Sequence, residues 1–177
     1  QIGYIVKGYP SLAFTASFFG RFQQQPNSVH MEYLEGSLKY IKRLYSKQAY
    51  IEYANNKNKE MKVEIYCDAS YLDEYSTRRS QISVMTFING SIVHWISKLT
   101  NTQALSTTES EIIALSEATR QALFIINFIN FISGKESNLI LPIPIYCDNN
   151  NGVEWSTSSS NSRNLKHIEV KNYKVRS

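Results

Sequence analysis

Two stretches of this sequence end in the same four residues and place an acid at the end of a strand-like run. Residues 63–68 read Val-Glu-Ile-Tyr-Cys-Asp, and residues 145–148 read Ile-Tyr-Cys-Asp. Valine, isoleucine and tyrosine suit the pleated surface of a strand, and the polar residues after each aspartate end the apolar run. If the two strands are neighbours in one sheet, Asp68 and Asp148 lie at the same edge.

Two glutamates stand at the start of a predicted helix between these strands. Ser106-Thr107-Thr108-Glu109 has the spacing of a capping box, so we expect Glu109 to cap the helix. Glu111 instead shares a line at helical spacing with small apolar residues, a stripe suited to packing on a sheet. That line contains Ala114, Leu115, Ala118 and Ala122. We therefore expect Glu111, and not Glu109, to face the sheet edge.

Glu169 is the fourth candidate acid, near the end of the chain. Carboxylates that converge from separate elements repel one another unless a proton or a cation lies between them. Mg²⁺ prefers such oxygen ligands, and two ions about 3.5–4 Å apart can activate water and stabilise the leaving oxygen of a phosphodiester. Asp68, Glu111, Asp148 and Glu169 thus predict metal-dependent phosphodiester hydrolysis. The alternative from spacing alone is that each acid is an ordinary surface turn residue of a structural α/β module.

The N-terminal third reads as mainly helical. Ser11, after Pro10, is a candidate N-cap, and a second helix is predicted over residues 28–47. That helix carries Leu34, Leu38, Ile41 and Tyr45 on one face and Lys39, Lys42, Arg43 and Lys47 on the opposite face. This basic face is either an ordinary solvated surface or a phosphate-binding surface. Residues 49–54 read as a strand, and a polar connector follows at residues 55–59.

The rest of the chain reads as a meander followed by a helical crossover. A polar turn is predicted over residues 73–80, then strands over 81–88 and 91–96 joined by Asn89-Gly90, a strong hairpin signal. The helix from residue 107 continues through residues 124–131, or a second short helix forms there. A strand over residues 142–147 that is reached by a helical crossover should run parallel to the first strand.

Composition excludes several classes of protein. The chain has 177 residues, enough for one core and a small appendage, and two cysteines that are expected to be reduced core residues. It has no Cys/His cluster typical of zinc, no glycine-rich phosphate loop and no recognisable signal peptide. The apolar run at residues 122–132 is short for a bilayer span. Net charge is +4 over residues 1–60, −2 over 61–140 and +2 over 141–177, which fits a metal site between phosphate-binding surfaces or ordinary solvated faces.

From Val63 onward the sequence resembles the ribonuclease H domain of copia-type long-terminal-repeat retrotransposon Pol polyproteins. The run Leu-Ser-Thr-Thr-Glu-Ser-Glu at residues 105–111, followed by Ala-Leu-Ser-Glu-Ala at 114–118, is the most specific part. The other matching motifs are Tyr-Cys-Asp-Ala at 66–69, Arg-Ser-Gln-Ile-Ser at 79–83, Trp-Ile-Ser-Lys at 95–98, Tyr-Cys-Asp-Asn-Asn at 146–150 and Lys-His-Ile-Glu-Val at 166–170. Residues 1–54 are similar, more loosely, to the end of the reverse transcriptase region.

The resemblance implies an α/β fold with a mixed five-stranded sheet of three antiparallel strands followed by parallel ones. Helices flank this ribonuclease H-like sheet, which we assign to residues 61–177; a small, mainly helical, reverse-transcriptase-like segment occupies residues 1–60. The upstream segment has no paired-aspartate polymerase motif. The resemblance further implies cleavage of the RNA strand of RNA–DNA hybrids with Mg²⁺, for which Mn²⁺ can substitute. Asp68, Glu111, Asp148 and Glu169 would be the catalytic and metal-binding residues.

Further expectations concern partners and location. The resemblance implies an RNA–DNA hybrid and the polymerase and other parts of a Pol polyprotein as partners, no membrane, and a location in cytoplasmic retrotransposon particles or in the nucleus. The ribonuclease H pattern has aspartate where this chain has Glu169. An added methylene moves the carboxylate oxygens, and catalysis is sensitive to shifts of about 1 Å. The alternative is therefore a weakened or inactive domain, repurposed for nucleic-acid binding or interaction.

Overall fold

The computed structural model describes residues 2–53, 60–74, 77–133 and 138–147. Backbone packing divides the chain into two compact units, residues 1–52 and residues 53–177. The first unit is helical, and the second holds a sheet with one long helix against it.

The helical unit contains α1 (Ile2–Ile5), a 3₁₀ turn (Pro10–Leu12), α2 (Ala13–Arg21) and α3 (Ser28–Ser46). The predicted N-cap role of Ser11 is wrong. Ser11 lies inside the 3₁₀ turn that Pro10 begins, so α2 starts after Leu12, which offers no capping side chain.

Helix α3 begins with a reciprocal cap. The side chain of Asn27 accepts a hydrogen bond from the backbone of His30 at 2.9 Å, and the backbone N–H of Asn27 donates to His30 Nδ1 at 3.2 Å. One face of α3 carries half-buried residues at three- and four-residue steps. We call these residues the half-buried line: His30, Leu34, Ser37, Ile41 and Leu44.

The predicted apolar face of α3 is only partly correct. Leu34 and Ile41 lie on the half-buried line, whereas Leu38 is 51% exposed and Tyr45 is 80% exposed.

The predicted strand over residues 49–54 is also wrong for its described part. Gln48 takes a φ of 50° just beyond α3, and residues 49–53 form no regular element because no described strand pairs with them.

The second unit contains a mixed sheet in the order β3-β2-β1-β4. Its strands are β1 (Val63–Glu74), β2 (Arg79–Ile88), β3 (Ser91–Gln103) and β4 (Ile145–Cys147). β1 pairs with β2 and β2 with β3 in antiparallel fashion, while β1 and β4 are parallel. The first two strands extend into residues 73–80, where a turn was predicted.

The described residues form four strands, so the predicted total of five is not met. The mixed pattern of three antiparallel strands and a parallel one is confirmed. Met61 and Leu139 form one isolated parallel bridge outside the named strands. This single pair of residues does not count as a further strand. The residues after Cys147 lie outside the described part of the chain.

The hairpin between β2 and β3 turns at Asn89-Gly90, as predicted. Asn89 has a φ of 50° and Gly90 a φ of 80°, the left-handed values that a tight hairpin requires. The backbone N–H of Asn89 donates to the carbonyl of Lys62 at 2.8 Å, and its side chain accepts from the N–H of Lys62 at 2.9 Å. The turn is therefore attached to the start of β1.

Helix α4 (Thr107–Ser133) covers one face of the sheet and forms the core with it. Alternate residues of β1 and β2 face the helix because successive side chains of a strand point to opposite faces. The buried core contains Val63, Ile65, Cys67, Ile82, Val84, Ala114, Leu115, Ala118, Ala122, Ile125, Ile129 and Ile143. The predicted helix from residue 107 is thus one continuous element through residues 124–131.

By length and composition α4 also meets the criteria for a membrane-crossing helix, contrary to the expectation that this run is too short. Half of its most apolar window is buried inside the protein. The buried side of α4 packs on β1 and β2, so the position of this helix in the protein core explains its apolar composition.

Candidate functional site

The strands β1 and β4 bring the two repeated motifs side by side. Ile65 pairs with Ile145, Tyr66 with Tyr146 and Cys67 with Cys147, in parallel register. The sequence prediction of parallel neighbours is therefore confirmed. Asp68 directly follows this pairing on β1. The predicted site residues Asp148 and Glu169 lie outside the described residues.

Asp68 lies at the edge of an open depression on the sheet. Its Oδ1 accepts a hydrogen bond from the backbone N–H of Ala69 at 2.8 Å, and the residue is exposed. Strand alternation directs Asp68 to the face opposite the α4 core, where Ser83 is its partner on β2. The depression has a volume of about 320 Å³ and is lined by Tyr66, Cys67, Asp68, Ser83, Met85, Tyr146 and Cys147.

Glu111 approaches the same strand ends from α4. It is only 6% exposed, and its Oε2 accepts a hydrogen bond from the thiol of Cys147 at 3.3 Å. A carboxylate with so little exposure has lost most of its hydration, so its placement demands compensating partners. Of the predicted acids, the described structure places Asp68 and Glu111 beside the paired segment of β1 and β4, with Asp68 on the open face of the sheet and Glu111 on the face that α4 covers.

The contrast predicted between Glu109 and Glu111 is confirmed for their structural roles. Ser106 Oγ accepts from the backbone N–H of Glu109 at 3.1 Å, and the Glu109 carboxylate accepts from the N–H of Leu105 at 2.6 Å. Glu109 therefore caps α4. Because this cap fixes the first turn of the helix, it also sets the height at which Glu111 meets the sheet.

The cysteine pair between the acids was not anticipated as part of the site. Cys67 and Cys147 are both free, as expected, and lie opposite each other in the parallel register. The pKa of the Cys67 thiol is strongly raised, first by its hydrogen bond with Cys147, then by burial and by the negative charges of Cys147, Glu111 and Asp68. Cys67 thus stays a protonated thiol, unsuited to act as a nucleophile. The repeated Tyr-Cys-Asp was the sequence signal for this pairing.

The donor chemistry of the described acids fits a hard divalent cation. Carboxylate oxygens are the ligands that Mg²⁺ prefers, and Asp68 is exposed to solvent. The expectation that Asp68 ends its strand is wrong, because β1 pairs with β2 beyond it and continues to Glu74. Among the described residues no group of three histidines, cysteines, aspartates or glutamates is arranged to hold a metal. The described part therefore supplies two carboxylates, and any further ligands must come from residues beyond it or from substrate and water.

His94 lies in β3, opposite Thr86 of β2. Its Nδ1 is buried without a hydrogen-bond partner among the described residues. Burial lowers the pKa of His94, so the neutral imidazole is favoured in the folded protein. This environment agrees with packing and offers no described partner for proton transfer.

No family model matches the chain. A retrovirus-related Pol polyprotein from transposon TNT 1-94 of Nicotiana tabacum is 24% identical over 167 residues, which are 94% of this chain and 12% of that protein. The secreted RxLR effector protein 161 of Plasmopara viticola is 34% identical over 117 residues, 66% of this chain and 79% of that protein. A transposon Ty5-1 protein of Saccharomyces cerevisiae is 28% identical over 111 residues, 62% of this chain and 35% of that protein.

The structure defines an α/β protein with a mixed sheet, in which the buried Glu111 and the exposed Asp68 lie beside the parallel pairing of β1 with β4. The chain belongs to the same family as the Plasmopara viticola protein, which it matches over most of that protein's length. It is also related to retrotransposon Pol polyproteins, through the tobacco and yeast transposon proteins. The chain spans only about an eighth of the length of the tobacco polyprotein.

Proposed function

We propose that this chain is a metal-dependent ribonuclease of a retrotransposon Pol protein that cleaves the RNA strand of RNA–DNA hybrids. The observation that carries the proposal is the register of β1 with β4. It aligns Cys67 with Cys147, and in the sequence an aspartate follows each of these two cysteines. Asp68 directly follows the segment of β1 that pairs with β4, although β1 itself continues to Glu74.

The position of Glu111 supports the same proposal. Burial of a charged glutamate beside two thiols costs hydration free energy, and a purely structural surface role does not offset this cost. Binding of a cation by the carboxylate would offset it. Asp68 comes from the middle of β1 and Glu111 from near the start of α4. The two carboxylates therefore rest on rigid elements that pack on each other, which is how a catalytic site keeps its geometry.

Asp68, Glu111, Asp148 and Glu169 would hold Mg²⁺. When bound, this ion supplies an activated water and neutralises the charge that develops on the phosphate. The acids themselves would orient the cation against the scissile phosphate. The Cys147 thiol, which donates to Glu111, would hold that carboxylate in one rotamer.

The test is cleavage of an end-labelled RNA–DNA hybrid with and without Mg²⁺. We expect RNA cuts that require the metal and that fall to background in Asp68→Asn and in Asp148→Asn. Both variants should unfold at the wild-type temperature or above it, since each loses a charge from a crowded acidic site. Cleavage that persists unchanged in both variants would refute the proposal.

A matched control is available on β1. Glu64 lies on the same strand and the same face as Asp68, and it forms an ion pair with Lys62 at 3.0 Å. Glu64→Gln removes one negative charge from this strand and keeps an oxygen that can accept the hydrogen bond of the Tyr146 hydroxyl. It should therefore keep wild-type cleavage. Glu169→Asp, in turn, should preserve or raise the rate, and a clear fall would mean that the site is adapted to glutamate.

The alternative function is nucleic-acid binding or interaction without cleavage. Two observations favour it: the fourth acid is Glu169, where the ribonuclease H pattern has aspartate, and one family member is named as a secreted effector and not as a Pol protein. A folded chain that binds the hybrid but leaves the RNA intact at saturating Mg²⁺ would establish this alternative.

A further inference from the structure

Helix α3 carries its charges unevenly, both around and along its axis. At 100° per residue, the side opposite the half-buried line bears Glu32 and Glu35 in its first half. Its second half bears only cations, and all of them are exposed. We call these residues the basic stripe: Lys39, Lys42, Arg43 and the C-cap Lys47.

The basic stripe has no anionic partner within the described structure. Lys62, Lys98 and Arg120 form ion pairs in the described part of the chain, and none of these three cations lies on α3. Glu35 precedes Lys39 by one turn, a spacing that permits pairing, yet the two form no ion pair there. The charge of the stripe is thus available to an external anion.

Helix stabilisation explains only part of this pattern. Cations in the last turn interact favourably with the helix dipole, which accounts for Arg43 and Lys47. The dipole effect fades beyond that turn, and Lys39 lies almost two turns before the end at Ser46. Exposed tyrosines also flank the stripe, with Tyr40 at 42% and Tyr45 at 80% exposure. Tyrosine hydroxyls and lysine ammonium groups are both common donors to phosphate oxygens.

We propose that the basic stripe binds the phosphate backbone of a nucleic-acid duplex. From Lys39 to Lys47 the helix rises about 12 Å, which corresponds to roughly three phosphates of one strand at about 3.4 Å each. Such contacts position a duplex without reading its sequence. A membrane surface fits less well, because an interfacial helix needs a free apolar face and the apolar line of α3 is half-buried within its own unit.

This inference deepens the proposed function, since it names residues that would hold the substrate backbone, but it needs neither the metal nor cleavage. The two can therefore fail separately. Binding without cleavage would refute only the ribonuclease, and cleavage with no contribution from α3 would refute only the basic stripe.

The test is fluorescence anisotropy of the full chain with a labelled RNA–DNA hybrid in EDTA, from 50 to 200 mM KCl. Lys39→Gln with Lys42→Gln should weaken binding about tenfold and reduce the slope of log K against log salt by about two, one per lost phosphate contact. Both side chains are exposed, so helicity and unfolding temperature should stay at wild-type values.

The charge-matched control is Lys7→Gln with Lys62→Gln. Lys7 lies over the ring of Tyr4 and Lys62 pairs with Glu64, so both cations already have partners. This variant has the same net charge as the stripe variant and should bind within about twofold of wild type. Equal losses in the two variants, or no binding by the wild-type chain, would overturn the inference. So would loss of binding to phosphatidylserine vesicles by the stripe variant while its binding to the hybrid is unchanged.

Discussion

Glu109 and Glu111 stand two residues apart at the start of α4, and the structure predicts opposite outcomes when each is replaced. Glu109→Ala removes the acceptor of the Leu105 N–H, a bond of 2.6 Å. A charge-assisted hydrogen bond contributes about 1.5–3 kcal/mol, which we reduce to about 1 kcal/mol for the solvent exposure of this bond. Loss of an acid from the first helical turn adds about 0.3–1 kcal/mol.

The free energy of unfolding should therefore fall by about 1–2 kcal/mol in Glu109→Ala. For a chain of this length that lowers the melting temperature by about 3–6 °C. Cleavage at 20 °C should stay within about threefold of wild type, because Ser106 still caps the helix. Glu111→Gln should retain or raise stability, since it removes a buried charge at nearly constant volume, and it should lose Mg²⁺-dependent cleavage.

The assay pairs thermal unfolding by circular dichroism with cleavage of the labelled hybrid for both variants in the same buffer. A Glu109→Ala variant that loses cleavage at full stability would refute the reasoning. So would a Glu111→Gln variant that cleaves normally. Glu109→Gln is the matched control, since it keeps an acceptor and loses only the charge.

Three further predictions concern the sheet and are checked by urea unfolding. Ile65→Ala, at a fully buried position of β1, should cost about 2–5 kcal/mol and Ile65→Val about 0.5–1.5 kcal/mol, and equal small losses would contradict the packing described. Gly90→Ala should cost about 1–2 kcal/mol because residue 90 has a φ of 80°. Burial lowers the pKa of His94 below its unfolded value of about 6.5, so stability should fall as pH drops from 7.5 to 5.5, and less steeply in His94→Gln.

Much of the second unit could be predicted from local sequence. The hairpin followed from Asn89-Gly90, and the start of α4 from the capping box at Ser106, since both signals act through backbone geometry within a few residues. The parallel pairing of β1 with β4 followed from a helical crossover between strands with the same ending. The candidate acids could be proposed from the repeated Tyr-Cys-Asp motif and from the position of Glu111 just after the capping box.

Errors arose where neighbours in space decide the outcome. Leu38 and Tyr45 have the apolar spacing expected of an inner face, but the half-buried line of α3 passes through Ser37 and Leu44 instead. The strand predicted over residues 49–54 has β-forming residues, yet a strand forms only where a partner edge supplies hydrogen bonds, and no described strand does so. Strand ends in residues 73–80 were likewise set by pairing and not by polarity.

By itself the sequence determined where the candidate acids stand along the chain, which turn needs left-handed backbone and which helix face is small and apolar. These properties depend on side-chain type and on spacing along the chain. Only the tertiary structure decided that Glu111 is buried against the thiol of Cys147 and that Asp68 opens onto the other face of the sheet. Burial and face are properties of packing between β1, β4 and α4, because residues far apart in sequence create that environment together.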